Sequence, residues 1–96
     1  MIVRIDIEPV EASTYEYRVS QQGEGLYADV GFSSAMLALV AAFEGLAPDV
    51  VALEVAYRGI VSGTYPLIVV ARKPEQIADH AVMTTTTIEA LLAAVV

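Results

Sequence analysis

The sequence has no cysteine, no tryptophan and a single histidine among its 96 residues. Without cysteine the chain has no disulfide, no thiolate-ligated metal and no thiol nucleophile. One histidine, His80, is too few for a multi-histidine zinc site. We therefore expect no metal and no cofactor. A cysteine-free chain is also compatible with a reducing compartment, and we expect the protein to be cytoplasmic.

Basic residues are scarce as well. Five Lys and Arg stand against twelve Asp and Glu, which gives a formal net charge of −7 and a pI near 4.3. No basic run exists, so we expect no nucleic-acid partner held by phosphate neutralisation. The acidity indicates either a basic protein partner or simply mutual repulsion that keeps the molecules apart.

Long apolar runs are missing too. The longest uncharged apolar stretch is far shorter than the roughly 18 residues that cross a bilayer. Arg4, Asp6 and Glu8 interrupt the first ten residues, where a signal peptide would need an apolar region. We expect a soluble protein without a membrane association.

What the chain does have is an excess of apolar residues. They form 56% of the sequence, and charged residues form only 18%, against a usual share of about 25%. Alanine and valine inflate this count, but the excess is concentrated in the predicted helices. We therefore expect a partner to cover part of the surface, and the simplest partner is a second copy in a homo-oligomer.

Alternation of apolar and polar residues predicts the strands. Val3, Ile5 and Ile7 alternate with charged residues, and Pro9 is expected at the end of that strand or at an edge. Leu26, Ala28, Val30 and Phe32 are assigned to one face of a third strand. The reversal after the fourth strand is placed at Ser62-Gly63. The predicted strands are 2–10, 14–20, 26–32, 50–58 and 64–72.

The stretch 33–45 predicts a central helix, because it is rich in Ala, Leu and Met and ends at Gly45. Its sheet-facing stripe is expected to be Met36, Leu39, Val40 and Phe43. The other side is small and apolar, so another helix or another subunit should cover it.

Two helices are predicted at the C-terminal end, about 74–82 and 87–95. Pro74 suits a first helical position. The run Thr84-Thr85-Thr86-Thr87 disfavours a helix interior, because β-branched side chains crowd the preceding turn. Ile88, Leu91, Leu92 and Val95 give the last helix an apolar stripe, and the apolar terminus is expected to dock on this subunit or on a neighbour.

These elements predict a single α+β domain over residues 1–96. The order is βββ-α-ββ-αα, or ββ-α-ββ-α if the third strand is absent. An antiparallel or mixed sheet of four to five strands should carry the helices mainly on one face.

No residue group forms a catalytic signature, so the catalytic residues are unknown. Ser33 and Ser34 lie at a helix start and are weak candidates for binding an anion, although ordinary N-capping is the favoured explanation for them. His80 is interpreted as a surface residue. The carboxylates Asp6, Glu8, Glu16 and Glu54 share the polar face of the sheet with arginines, which favours charge balance over a cation site.

Five residues are weak candidates for an interface. Ala35, Ala38 and Ala42 form the small apolar side of the central helix. Tyr27 and Tyr65 flank turns, and tyrosine is enriched at interfaces. The sequence thus favours a module that acts by protein–protein interaction or self-association without catalysis. The alternatives are a small-molecule binder or enzyme with a site between subunits, and an assembly subunit of a larger particle.

Overall fold

The computed structural model describes residues 1–95, and Val96 lies outside the described residues. Five strands and three helices occur in the predicted order βββ-α-ββ-αα. They are β1 (Ile2–Glu11), β2 (Thr14–Gln21), β3 (Glu24–Phe32), α1 (Ala35–Glu44), β4 (Ala52–Tyr57), β5 (Ile60–Pro66), α2 (Leu67–Arg72) and α3 (Pro74–Val95).

The strands form one mixed sheet in the order β3-β2-β1-β4-β5. β1 and β4 are parallel, and the other neighbours are antiparallel. α1 packs on the β1–β2–β3 half of one face, while α3 packs on the β4–β5 half and against α1. This arrangement confirms the predicted α+β class, and no helix within residues 1–95 packs on the opposite face of the sheet.

The alternating pattern of β1 decides which face of the sheet is buried. Val3, Ile5 and Ile7 are buried, while Arg4 and Asp6 lie on the other face. β1 continues past Pro9, with Val10 as an extra residue opposite β2. Pro9 is tolerated because β4 pairs only with Ile2 to Ile7, so no ladder partner on that side needs its missing N–H.

The side chains of β3 do not alternate between the two faces of the sheet as predicted. Two residues are unpaired extras in its ladder with β2, at Leu26 and Gly31. Gly31 has φ +107°, a conformation that a side chain would strain. The bulge brings Phe32 to the helix side, whereas Leu26 and Val30 are exposed. The predicted common face for these residues is therefore wrong.

α1 is bounded as predicted, but its buried face is not the predicted one. Leu39 is buried as expected, and so are Ala38 and Ala42. Val40 and Phe43 are only half-buried. α1 contacts both the sheet and α3, so the small alanine side chains allow close packing within the chain itself.

The segment after β4 departs most from the prediction. Arg58 and Gly59, both with positive φ, form the β4–β5 turn, and Ser62 is instead an extra residue in β5. β5 ends at Pro66, so the apolar run from Leu67 is helix α2 and not part of a strand. An apolar run this short fits either structure by its pattern alone.

α3 is one helix of 22 residues, so the predicted break at the threonines is wrong. Its buried residues are Ile77, Ala78, Ala81 and Thr85. The Thr85 hydroxyl donates to the carbonyl oxygen of Tyr57 at 2.9 Å, which satisfies a polar group inside the core. Packing and this hydrogen bond outweigh the weak helix propensity of threonine.

Candidate functional site

The C-terminal turns of α3 extend beyond the sheet. Every residue from Ala90 to Val95 is exposed, and Leu91, Leu92 and Val95 have 62%, 60% and 86% of their surface accessible. Residues 90–95 are thus not docked on their own chain. We call residues 88–95 the α3 overhang.

The overhang continues the core-facing stripe of α3. Helical periodicity places Ile88, Leu92 and Val95 on the same side as the buried Ile77 and Ala81. The stripe loses its cover past the β4–β5 turn, because no residue after Thr85 in α3 is buried: Ile88 is half-buried, and Leu92 and Val95 are exposed. The overhang is therefore a core-like surface that faces solvent.

The overhang has almost no charge. Its one ionisable side chain is Glu89, which lies 3.5 Å from the guanidinium of Arg58 in an exposed ion pair. Such a pair contributes at most about 1 kcal/mol, but it directs the carboxylate back to the β4–β5 turn. The outer two turns are then purely apolar.

A second surface is a cavity of about 560 Å³ between the start of α1 and the first half of α3. Methionine, valine and tyrosine side chains line it together with two carboxylates. We call it the acidic cleft; its residues are Tyr15, Ser34, Ala35, Met36, Glu75, Asp79, Val82 and Met83.

Of the two proposed anion-binding serines, Ser34 is the N-cap of α1. Its Oγ accepts a hydrogen bond from the N–H of Leu37 at 3.1 Å, while Ser33 is exposed just before it. Glu75 and Asp79 share the cleft with Ser34, and their negative charge opposes an anion there. The geometry therefore favours capping as the role of Ser34.

The three alanines proposed as an interface lie mostly inside the chain. Ala38 and Ala42 have no accessible surface, because α3 and the sheet cover α1. Ala35 is half-buried and lines the acidic cleft. A partner therefore reaches Ala35 but not the other two.

Tyr27 and Tyr65 are half-buried and pack on the core. The Tyr27 hydroxyl donates to the carbonyl oxygen of Ala42 at 2.7 Å, and its ring meets Tyr17 edge-on with centroids 6.0 Å apart. Burial, and then the neighbouring Tyr17, raises the pKa of Tyr27 above its usual value of 10. Tyr65 lies over Gly63, where a Cβ would come within 2.8 Å of its hydroxyl oxygen. Both rings thus serve packing more than contact with a partner.

The helix-free face of the sheet carries two cavities of about 540 and 490 Å³, which share Asp6, Ser20 and Gly23. Arg4 bridges Asp6 at 3.0 Å and Glu54 at 3.2 Å. The hydrogen bond to Asp6 raises the pKa of Arg4. Arg4 thus offsets part of the negative charge of Asp6 and Glu54, whereas Glu8 and Glu16 form no ion pair within residues 1–95.

The remaining polar candidates do not converge. His80 is exposed, with Nε2 3.5 Å from Thr84 Oγ1. Within residues 1–95, no three His, Asp or Glu side chains gather where they would hold a metal ion. Over the same range, no buried side-chain nitrogen or oxygen lacks a hydrogen-bond partner.

Sequence reasoning predicted the apolar stripe of the overhang but missed the acidic cleft. The cleft combines side chains from β2, α1 and α3, which are distant in sequence. The available signal was Glu75 and Asp79, four residues apart at the start of a predicted helix and therefore on one face.

Comparison of the chain with protein-family models, with curated proteins and with solved structures found no match. No helix within residues 1–95 combines the length and hydropathy needed to cross a membrane. The function is therefore argued from the surfaces described above.

Proposed function

We propose that this chain is a protein-interaction module that self-associates through the α3 overhang, without catalysis of its own. The supporting observation is the exposure of Leu91, Leu92 and Val95 on an uncharged helix end. A core-like stripe on a helix favours burial against another apolar surface.

A second copy is the simplest partner for this surface. The outer overhang contains only Ala, Leu and Val, so two copies are complementary without charge matching. A two-fold arrangement covers both stripes at once, since each overhang lies on the other. Glu89 does not oppose this pairing, because it is directed to Arg58 of its own chain.

The gain from burial and the cost of association are of similar size, which favours a reversible dimer over a permanent one. Full burial of a leucine or valine side chain gains about 1.5–3 kcal/mol, and Leu91, Leu92 and Val95 still have 60–86% of their surface to bury, so each gains about 1–2 kcal/mol. Three such side chains on each copy gain about 6–12 kcal/mol, against an association cost of about 4–15 kcal/mol. We therefore propose an equilibrium that depends on concentration.

A charge placed on the stripe tests this proposal. Leu92→Glu puts a carboxylate at the centre of the proposed contact, and light scattering during size exclusion should then give the mass of a single chain. Leu26→Glu is the matched control, because Leu26 is an exposed leucine on β3, far along the chain from α3. Unchanged association of the Leu92→Glu variant contradicts the proposal.

The location and the second partner of the protein are proposed from its composition. We propose a cytoplasmic protein whose formal net charge of −7 supports a basic protein as a second kind of partner. Long-range attraction between opposite charges speeds such an encounter and weakens with added salt.

A further inference from the structure

We propose that the acidic cleft binds a basic, amphipathic segment of a partner protein, with one or two Lys or Arg heads at Glu75 and Asp79. The cleft shares no residue with the α3 overhang, so a test of this inference is independent of self-association. Four features of the cleft support it: its size, its charge, its apolar wall and its openness.

The size fits a ligand that inserts side chains. About 560 Å³ lies within the roughly 300–1,000 Å³ typical of ligand sites. Three elements contribute walls, because Tyr15 comes from β2, Met36 from α1 and Val82 from α3. Glu75, Asp79 and Met83 are exposed, so a segment of another protein can enter from solvent.

The charge selects a cation. Glu75 and Asp79 are one helical turn apart, with Cβ atoms about 6 Å from each other, so their negative charges reinforce each other at one rim. Within residues 1–95 neither carboxylate forms an ion pair. The starts of α1 and α3 contribute about half a positive charge each, against two full negative charges.

The apolar wall favours a cation that is carried by an aliphatic side chain, as in Lys or Arg. Met36, Val82 and Met83 line the cleft beside the carboxylates. Lys and Arg bury their methylene stems along apolar surface while the charged head stays at the polar rim. Methionine side chains are flexible and polarizable, so they adapt to the apolar neighbours of such a residue.

The spacing of the carboxylates defines the segment further. Two basic residues four positions apart on a helix are separated by the same distance as Glu75 and Asp79. An apolar side chain on the same face would then be directed to the apolar lining of the cleft, which includes Met36 and Met83. A free metal ion fits less well, because only two carboxylates converge and the rest of the wall is apolar.

The methionine methyl groups provide a direct readout. The chain has three methionines, of which Met36 and Met83 line the cleft and Met1 does not. The probe is a helical peptide with two lysines four residues apart beside a leucine stripe, compared with a peptide of the same composition in scrambled order. On titration with the probe, the Met36 and Met83 methyl resonances should shift in NMR spectra, and that of Met1 should not.

Matched variants separate specific binding from general attraction. Glu75→Gln with Asp79→Asn should weaken binding of the probe about tenfold, as expected for losing two surface ion pairs. Glu11→Gln with Glu44→Gln removes the same formal charge from exposed positions outside the cleft and should leave the affinity within about twofold. Met83→Ser should weaken binding severalfold without changing any charge.

Three results would overturn the proposal. The first is the absence of methyl shifts with the probe. The second is equal affinity for the probe and the scrambled peptide. The third is an equal loss of affinity in the cleft variant and in the Glu11→Gln/Glu44→Gln control, since charge anywhere on the chain would then suffice.

Discussion

Thr85 Oγ1 donates a hydrogen bond of 2.9 Å to the carbonyl oxygen of Tyr57, and both residues are buried. This contact joins the middle of α3 to the last residue of β4. It is also the last buried point of α3, because every later residue of the helix is half-buried or exposed. The overhang therefore begins where this attachment ends.

Removing the Thr85 hydroxyl should destabilise the fold. Thr85→Val keeps the shape but leaves the Tyr57 carbonyl without this buried donor, which should lower the free energy of unfolding by about 1–2 kcal/mol. Thr86→Val is the control, because Thr86 is the exposed neighbour on the same helix and should change stability by less than about 0.5 kcal/mol. Urea denaturation measures both, and equal effects would contradict this role of Thr85.

Tyr27 should stabilise the end of α1. Tyr27→Phe removes the donor to the Ala42 carbonyl and should cost about 1 kcal/mol. Tyr65→Phe is matched to it, because within residues 1–95 the Tyr65 hydroxyl forms no hydrogen bond. Denaturant midpoints should therefore fall for Tyr27→Phe only. A larger loss in Tyr65→Phe would show that the hydrogen bond is not what matters.

Stability should fall at alkaline pH. Burial raises the pKa of Tyr17, Tyr27 and Tyr57 above 10, so the native state keeps protons that the unfolded chain releases. The stability that depends on these tyrosines being protonated is fully present below about pH 10, and it is lost as the pH rises through the pKa values of the native state. Ultraviolet absorbance of tyrosinate, undisturbed by tryptophan, should show the part of the native titration that belongs to Tyr17, Tyr27 and Tyr57 at higher pH than in the urea-unfolded chain. Coincident titrations would contradict the prediction.

Much of the fold follows from local patterns in the sequence. Alternation in β1 and β2 predicted which residues face the core, since one face of the sheet is packed and the other is not. The boundaries of α1 followed from helix propensity and its cap. These features depend on residues close together in the chain.

The errors came where tertiary contacts decide. Leu67 to Val70 fit a buried strand by composition, but the chain turns at Pro66 and Val70 packs into the core from a helix. The threonine run stays helical because Thr85 finds a partner on β4. The bulge at Gly31 moves Phe32 to the other face of the sheet. A prediction that assumes regular alternation along the strand cannot include such a shift.

The candidate surfaces were predictable to different degrees. The stripe of Leu91, Leu92 and Val95 was visible in the sequence, but its exposure depends on where the sheet stops beneath α3. The acidic cleft was not visible, because Met36 and Met83 line one cavity only after α1 and α3 pack together. A local pattern in the sequence predicts which face of a helix or strand is apolar. Which other element packs on that face is decided only in the assembled fold.

The most direct test of the central claim is the molar mass of the native chain by light scattering, measured over a range of concentrations. The proposed self-association predicts that the mass rises from 10.2 kDa toward twice that value as concentration increases. The same series on the Leu92→Glu variant should remain at the mass of one chain. A native mass that stays at 10.2 kDa at every concentration would contradict the account.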